Sequence, residues 1–402
     1  MRIAVNGWFW HSSSTGSGQY TRRLVEALSS LDSTPGPDLQ VVLVLPAGAA
    51  SGPGPHVSER PPSVVMHVVP GTRSNLGKVR FEQLAFPRAC AEVGADVAHV
   101  PYWAPPARSA IPLVVTIHDL IPLVFRDYRG GPLQRLYTAL VSATARGADL
   151  ILTDSEASRR DIVQQLGLPD ERVRTISLAA DRQYTPEPSP DDQEIRARYD
   201  LPEAYVLYLG GFDRRKNLAT VIETYRWAGP RIGADCPLVV AGPLPERDTP
   251  FAPDPRRMLR ERGVEEDVIR FCGFVAEGDK PAVYRGALAF LFPSRYEGFG
   301  LPPLEALACG TPVVASCAAS LPEIVGDGGV LLPPDGAEAM ADVLVRLARD
   351  ESLRAEMSQR AVAQAARFSW ESTAQSTLTA YRDAMNGGTA GGSGHRVGRP
   401  TC

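Results

Sequence analysis

Short apolar runs recur along the chain, and between them the apolar positions open out to helical spacing. In the first half the runs are RIAVNG, LQVVLVLP, SVVMHVVP, DVAHVP, IPLVVTIHD, DLILTDS and VRTISLA. None keeps the strict alternation of a strand with one wet face, so they predict strands covered on both faces, as in a parallel sheet. GQYTRRLVEALSSL, RFEQLAFPRACAEVG, LQRLYTALVSATARG and EASRRDIVQQLG stand between them with helical patterns. This rhythm predicts a doubly wound α/β domain.

Residues 182–204 interrupt the rhythm with prolines and charges, and predict a linker with a short helix. The alternation restarts with YVLYLGG, LVVAG, VIRFCGF, ALAFLFPS, TPVVAS and VLLPP. We therefore expect two Rossmann-like domains facing a cleft, one over 1–185 and one over 186–368. Residues 336–385 read as helical with a break at Phe368-Ser369-Trp370, and the glycine-rich end, 387–402, reads as disordered. Ligands bind such sheets at the carboxyl ends of their strands, so the motifs there come first.

RYEGFGLPPLEALACGTPVVAS (295–316) follows a buried strand that ends near Ser294. Pro302 and Pro303 suit the first turn of a helix, where a missing N–H is no loss. Gly310 and Pro312 predict its end. The positive end of such a helix attracts a phosphate. Gly298 and Gly300 let the backbone approach a ligand closely. Glu305, placed by this reading in the first helical turn, would accept hydrogen bonds from a ribose, and Glu297 would reach a second polyhydroxylated group. Taken singly, each glutamate is better explained by the helix dipole or by solvent than by function; the spacing, the glycines and the strand–loop–helix setting are what favour a site. YLGGFDRRKNL (208–218) ends another strand with basic side chains, which can neutralise a diphosphate. NGWFWHSSSTGSGQY places Gly16 and Gly18 where backbone N–H groups could meet a phosphate or sugar. VVTIHDLIPL ends a strand with His118 and Asp119.

EGFGLPPLE resembles the E-x7-E motif of retaining glycosyltransferases, and the longer stretch resembles glycosyltransferase family 4 over nearly the whole chain short of the tail. The resemblance implies the GT-B fold, with the nucleotide-sugar donor held by the C-terminal domain. It also implies a last helix, about 369–386, crossing back onto the first domain. It places Arg215 and Lys216 on the donor's phosphates, Glu297 and the backbone from Gly298 through Phe299 and Gly300 to Leu301 on the donor sugar, and Glu305 on the ribose. It matches His118 to the histidine that faces the donor sugar, with Asp119 either orienting that imidazole or capping the loop. Arg214 is a further basic candidate. The mannosyltransferase-like members make a hexose, mannose before others, the expected sugar. The expected acceptor is a glycan, a lipid-linked saccharide or a small molecule.

A net charge of -4 argues against a nucleic-acid partner. The local basic patch Arg73, Lys78 and Arg80 reads as a solvated loop and helix face. The six cysteines lack ligand spacing, so neither a zinc site nor a disulfide framework is expected. No D-x-D pair accompanies the site, and no metal or other cofactor is expected. The scattered cysteines fit a reducing, cytoplasmic setting; no apolar stretch has the length of a membrane span, and peripheral contact at the inner membrane face is allowed. Two other classes remain open. A dinucleotide-dependent oxidoreductase needs a G-x-G-x-x-G fingerprint, which TGSGQY does not complete. A catalytically idle nucleotide-sugar binder of the same fold would fill the same positions.

Overall fold

The structure is a computed structural model that describes residues 1–12, 15–31, 39–47, 64–72, 74–232, 236–264 and 268–387. Arg73 and the tail from 388 on lie outside the described residues. All thirteen apolar runs are strands, arranged in two parallel sheets. The first sheet contains β1 (Arg2–Asn6), β2 (Gln40–Pro46), β3 (Val64–Val69), β4 (Val97–Val100), β5 (Leu113–Thr116), β6 (Leu150–Thr153) and β7 (Val173–Thr175). Their order is β3-β2-β1-β4-β5-β6-β7. The second contains β8 (Val206–Leu209), β9 (Leu238–Ala241), β10 (Ile269–Gly273), β11 (Ala289–Phe292), β12 (Val313–Ser316) and β13 (Gly329–Leu332), in the order β10-β9-β8-β11-β12-β13.

Side-chain alternation along β8 shows why these strands carry so little polarity. Val206 and Tyr208 enter one apolar cluster, while Tyr205, Leu207 and Leu209 enter another on the opposite face. A strand with helices on both sides has no wet face to mark with polar residues. Cys90, Cys236 and Cys309 are buried free thiols within these cores, where they behave as small apolar groups.

The chain divides into two compact units, one of Met1–Leu178 joined by the segment beginning at Ser369, the other of Ala179–Phe368. The dividing point falls ahead of 185 because Tyr184 already packs in the second unit's core, its hydroxyl donating to Glu277 at 2.7 Å. The break at 368–370 is a helix start: Ser369 Oγ accepts from the Ser372 N–H, and the helix Trp370–Met385 follows. That helix packs on the helix Gly16–Leu31 and on β4 and β5. It is fastened by Thr373 Oγ1 donating to the Ser177 carbonyl (2.7 Å) and by an Arg174–Asp383 ion pair (2.8 Å).

RFEQLAFPRACAEVG is helical but not uniformly α. A wider turn with i→i+5 bonds spans Phe81–Ala85, between the helices Asn75–Arg80 and Phe86–Glu92. Pro87 follows at once; its missing N–H and its ring disfavour a regular α turn there, and the widened turn relieves that constraint.

The first loop is closed by glycine for a packing reason. A Cβ on Gly18 would lie well inside contact with the Ser12 carbonyl oxygen and 2.8 Å from that of Phe9, whereas one on Gly16 would meet nothing within 4 Å. Gly18→Ala is therefore expected to destabilise the protein by about 1–3 kcal/mol, while Gly16→Ala is neutral. Thermal melting of the two variants beside the wild type checks this, and equal melting of both would refute the packing account.

Candidate functional site

Two groups of side chains stand at the carboxyl ends of strands, one in each unit. In the second unit the strand order reverses between β8 and β11, the position where such sheets open a crevice. The loops leaving those two strands carry Arg215 and Lys216 on one and Glu297 on the other. Arg215 Nη1 donates to Glu297 Oε2 at 2.6 Å and Lys216 Nζ to Oε1 at 2.9 Å. Ser294 Oγ adds a bond to Oε1 at 2.6 Å. Glu297 is buried, and burial alone would raise its pKa; the two cations and Ser294 outweigh that and hold the carboxyl below its ordinary range.

The surrounding backbone is pinned as well. Asn217 turns the chain in a left-handed conformation (φ 58°), and its amide donates to the carbonyls of Pro293 (3.0 Å) and Pro334 (2.7 Å). The side chain therefore ties the loops after β8, β11 and β13 together. Ser320 Oγ reaches the carbonyls of Glu297 (2.9 Å) and Phe299 (2.5 Å). These serine and asparagine ties carry no local signature and were missed. Arg214 opens the short turn Arg214–Lys216, and its N–H donates to the Phe251 carbonyl at 3.0 Å.

The helix after this loop starts at Leu301, directly after Gly300 with φ 114°, so Pro302 and Pro303 stand in its first turn as expected. Glu305 is consequently its fifth residue, beyond the first turn. Pro302 and Pro303 have no N–H, so the helix end offers an anion the Leu301 N–H, the loop backbone before it and the dipole. Glu305 is buried and accepts from Tyr284 Oη at 3.0 Å. Burial, with Glu277 adding, pushes its carboxyl up to about 7 against the opposing pull of Lys280 and the tyrosines. The two glutamates of the motif thus sit in opposite environments: Glu297 is charged and doubly paired, whereas Glu305 is near neutrality.

In the first unit, His118 follows β5 and its Nδ1 bonds Asp154 Oδ2 at 2.7 Å. Burial disfavours the imidazolium, but Asp154, with Asp119 adding a smaller pull, more than offsets this and the pKa stands above its ordinary value. Asp119 is not the orienting acid, since its Oδ1 accepts the Ile121 N–H at 3.0 Å and caps the loop. Asp154, within LTDSEASRRDI, was not singled out because 36 residues separate it from His118. Tyr20 lies edge-on to the His118 ring, centroids 4.8 Å apart. Its hydroxyl bonds Thr116 Oγ1 (3.0 Å), which also bonds His99 Nε2 (2.8 Å); His99 Nδ1 in turn meets Tyr381 Oη at 2.7 Å. Burial, with His118 nearby, pushes the His99 pKa down to about 3, so this histidine is neutral. Gly16 begins the helix that carries Tyr20, and the Gly18 N–H is donated to Thr15 Oγ1 at 3.2 Å. The close approach at Gly18 is made by the chain's own loop.

Two outcomes follow from these charges. Glu305 binds its proton more tightly folded than unfolded, so its contribution is intact below about pH 4.5 and is lost as pH rises through about 7. Replacing it in Glu305→Gln should flatten stability between those pH values by roughly 2–4 kcal/mol relative to the wild type, read by urea titrations at several pH values. Parallel curves would refute the buried, proton-retaining carboxyl. Asp154→Asn removes the charge that holds up the His118 pKa, so an NMR titration of the His118 ring should move to lower pH. An unchanged titration would mean that Asp154 does not set it.

Comparison with known proteins gives this geometry a family. Residues 15–179 match the glycosyl transferase 4-like domain, and residues 191–364 match glycosyl transferases group 1. The O-antigen chain mannosyltransferase B of Escherichia coli is 34% identical over 270 residues, covering 67% of this chain and 70% of that protein. A D-inositol 3-phosphate glycosyltransferase of Actinosynnema mirum is 32% identical over 369 residues, with 84% and 87% covered. The serotype-specific mannosyltransferase WbdA of Escherichia coli is 28% identical over 76% of this chain, which spans only 39% of that protein's length. Among solved structures, sucrose-phosphate synthase from Thermosynechococcus elongatus superposes with a TM-score of 0.72 at 23% identity, covering 96% of this chain and 99% of that one. WaaG, a glycosyltransferase involved in lipopolysaccharide biosynthesis, does so with 0.64 at 18%, covering 94% and 99%. The chain belongs to glycosyltransferase family 4 and is a glycosyltransferase of the GT-B fold.

Proposed function

We propose that the protein transfers a hexose, with mannose favoured, from a nucleoside-diphosphate sugar to a glycan, lipid-linked saccharide or small-molecule acceptor, with retention of configuration and without a metal. The observation that carries this reading is the buried Arg215–Glu297–Lys216 cluster at the strand-order reversal of the second sheet. Two cations held against Glu297, with Asp213 Oδ1 a further 3.5 Å from Arg215 Nε, form a preorganised receptor for the charge that grows on a departing diphosphate, where oriented charge stabilises most. The Leu301 N–H and the helix dipole add to it. Glu305, with its raised pKa, serves the ribose as donor or acceptor of a hydrogen bond. Glu297, paired on both oxygens, is a poor nucleophile, so the reading includes no covalent sugar–enzyme step. His118, with Asp154 behind it, presents its ring to the sugar. Mannose is supported by the names of the relatives, and a nucleotide donor by a similarly folded Anabaena protein (19% identical, TM-score 0.67) solved with UDP-glucose.

Calorimetry with GDP, UDP, ADP and NAD tests the reading. One nucleoside diphosphate should bind near 1 μM, about -8 kcal/mol. Arg215→Ala and Lys216→Ala should each weaken it at least about tenfold, the loss of one charged hydrogen bond, with melting curves as the control for folding. A turnover screen with GDP-mannose and UDP-hexoses then identifies the sugar. Binding without turnover would return the idle nucleotide-sugar binder, and tight NAD binding indifferent to Arg215 would overturn the transferase reading altogether.

A further inference from the structure

The buried residues of the helix Leu301–Ala308 are Pro303, Leu304, Glu305, Ala306 and Leu307, and Glu305 alone among them is ionisable. A carboxyl put there for stability alone is a costly choice, since an apolar side chain in its place needs no partner. Two tyrosines meet it. Tyr284 comes from the helix Lys280–Arg285 and Tyr184 from the segment that enters the second unit, and both lie in the apolar cluster that holds Ala306 and Leu307. The Tyr284 hydroxyl donates to Glu305 Oε2 at 3.0 Å. Tyr184 donates to Glu277 Oε1 at 2.7 Å, and the same side chain favours the charged form of Glu305 through hydrogen bonding. Lys280 Nζ closes the group by donating to Glu277 Oε2 at 2.6 Å.

Tyr284 is held as firmly as the carboxyl it holds. It is fully buried, and its ring meets Phe290 edge-on with centroids 5.4 Å apart and Tyr184 with centroids 6.0 Å apart. Its carbonyl accepts the Thr311 hydroxyl at 2.7 Å. The ring therefore cannot swing, and its hydroxyl is a fixed donor. A glutamate has several rotatable bonds, and ordering them when a ligand arrives lowers affinity. A rigid donor on one carboxyl oxygen orders them beforehand, the way a supporting side chain preorganises a binding group.

We propose that Tyr284, with Tyr184 beside it, is a positioning residue for nucleotide binding: it fixes the Glu305 carboxyl in the orientation that meets the ribose hydroxyls of the donor. This rests on the reading of Glu305 as the ribose ligand and adds the tyrosines to it.

Calorimetry with GDP and UDP, each beside its 2′,3′-dideoxy counterpart, tests it, because the dideoxy form keeps base and diphosphate but lacks the two hydroxyls. The wild type should bind one ribonucleotide at least about tenfold tighter than its dideoxy form. Glu305→Ala, the control for the underlying reading, should bind both alike. Tyr284→Phe keeps the ring and loses the hydroxyl; it should weaken the ribonucleotide by about three- to tenfold and leave the dideoxy form unchanged. In turnover it should raise the donor KM with kcat unchanged. Tyr184→Phe, which reaches Glu305 from another segment, should act in the same direction and carries the test independently, with melting curves as the control for folding. If the tyrosine variants weaken both nucleotides equally, or neither, while Glu305→Ala loses the discrimination, the positioning role is overturned and the ribose reading stands. A wild type that binds both forms equally overturns the ribose reading, and the proposal with it.

Discussion

A single carboxylate, Glu297, sets the arrangement of the donor-side loops. Its two oxygens take Arg215, Lys216 and Ser294, so residues more than 80 positions apart are fixed within one hydrogen-bonded cluster. Bringing three charged groups out of water is expensive, and a buried ion pair is a poor stabiliser when set against a well-packed apolar substitute. What the cluster supplies is position: two cations held at the end of a strand, already desolvated, before any ligand arrives. Asn217 and Ser320 extend the constraint to the neighbouring loops without adding charge.

The first unit follows another logic. Its buried polar side chains form a line of hydrogen bonds from Tyr381 through His99 and Thr116 to Tyr20, whose ring meets His118. With His99 neutral, the line carries orientation without charge, and the ionic contact is kept for His118 and Asp154. Buried networks of this kind specify one arrangement because each unsatisfied member would be costly.

Much of this was legible in the chain. Parallel strands announce themselves by continuous apolar runs, and each of those runs became a strand. The strand–loop–helix setting of Glu297 could also be read, since glycines and prolines mark such turns. Other features were out of reach for identifiable reasons. The pairing of His118 with Asp154 instead of Asp119 depends on the β5–β6 alignment, which no local pattern encodes. The helix start at Leu301 rests on one left-handed glycine, and it makes Glu305 the fifth residue, past the first turn and in contact with Tyr284. Lys78, whose ammonium lies over the rings of Phe9, Tyr102 and Tyr137 and bonds the Tyr137 hydroxyl, looked like any solvated helix-face lysine because those rings come from three distant segments.

The discontinuity of the first unit bears on how the molecule is made. Leu178 leaves the ribosome 190 residues (179 to 368) before Ser369, the residue that starts the helix closing that unit. At typical elongation speeds this is an interval of roughly 10–40 s. Throughout it, β4 and β5 lack the helix that covers them, and His99 has no Tyr381. The second unit's sheet and helices, within 179–368, are all out by then. Synthesis therefore completes the unit that begins second before the one that begins first, and the last helix to emerge is the one that finishes the surroundings of His118.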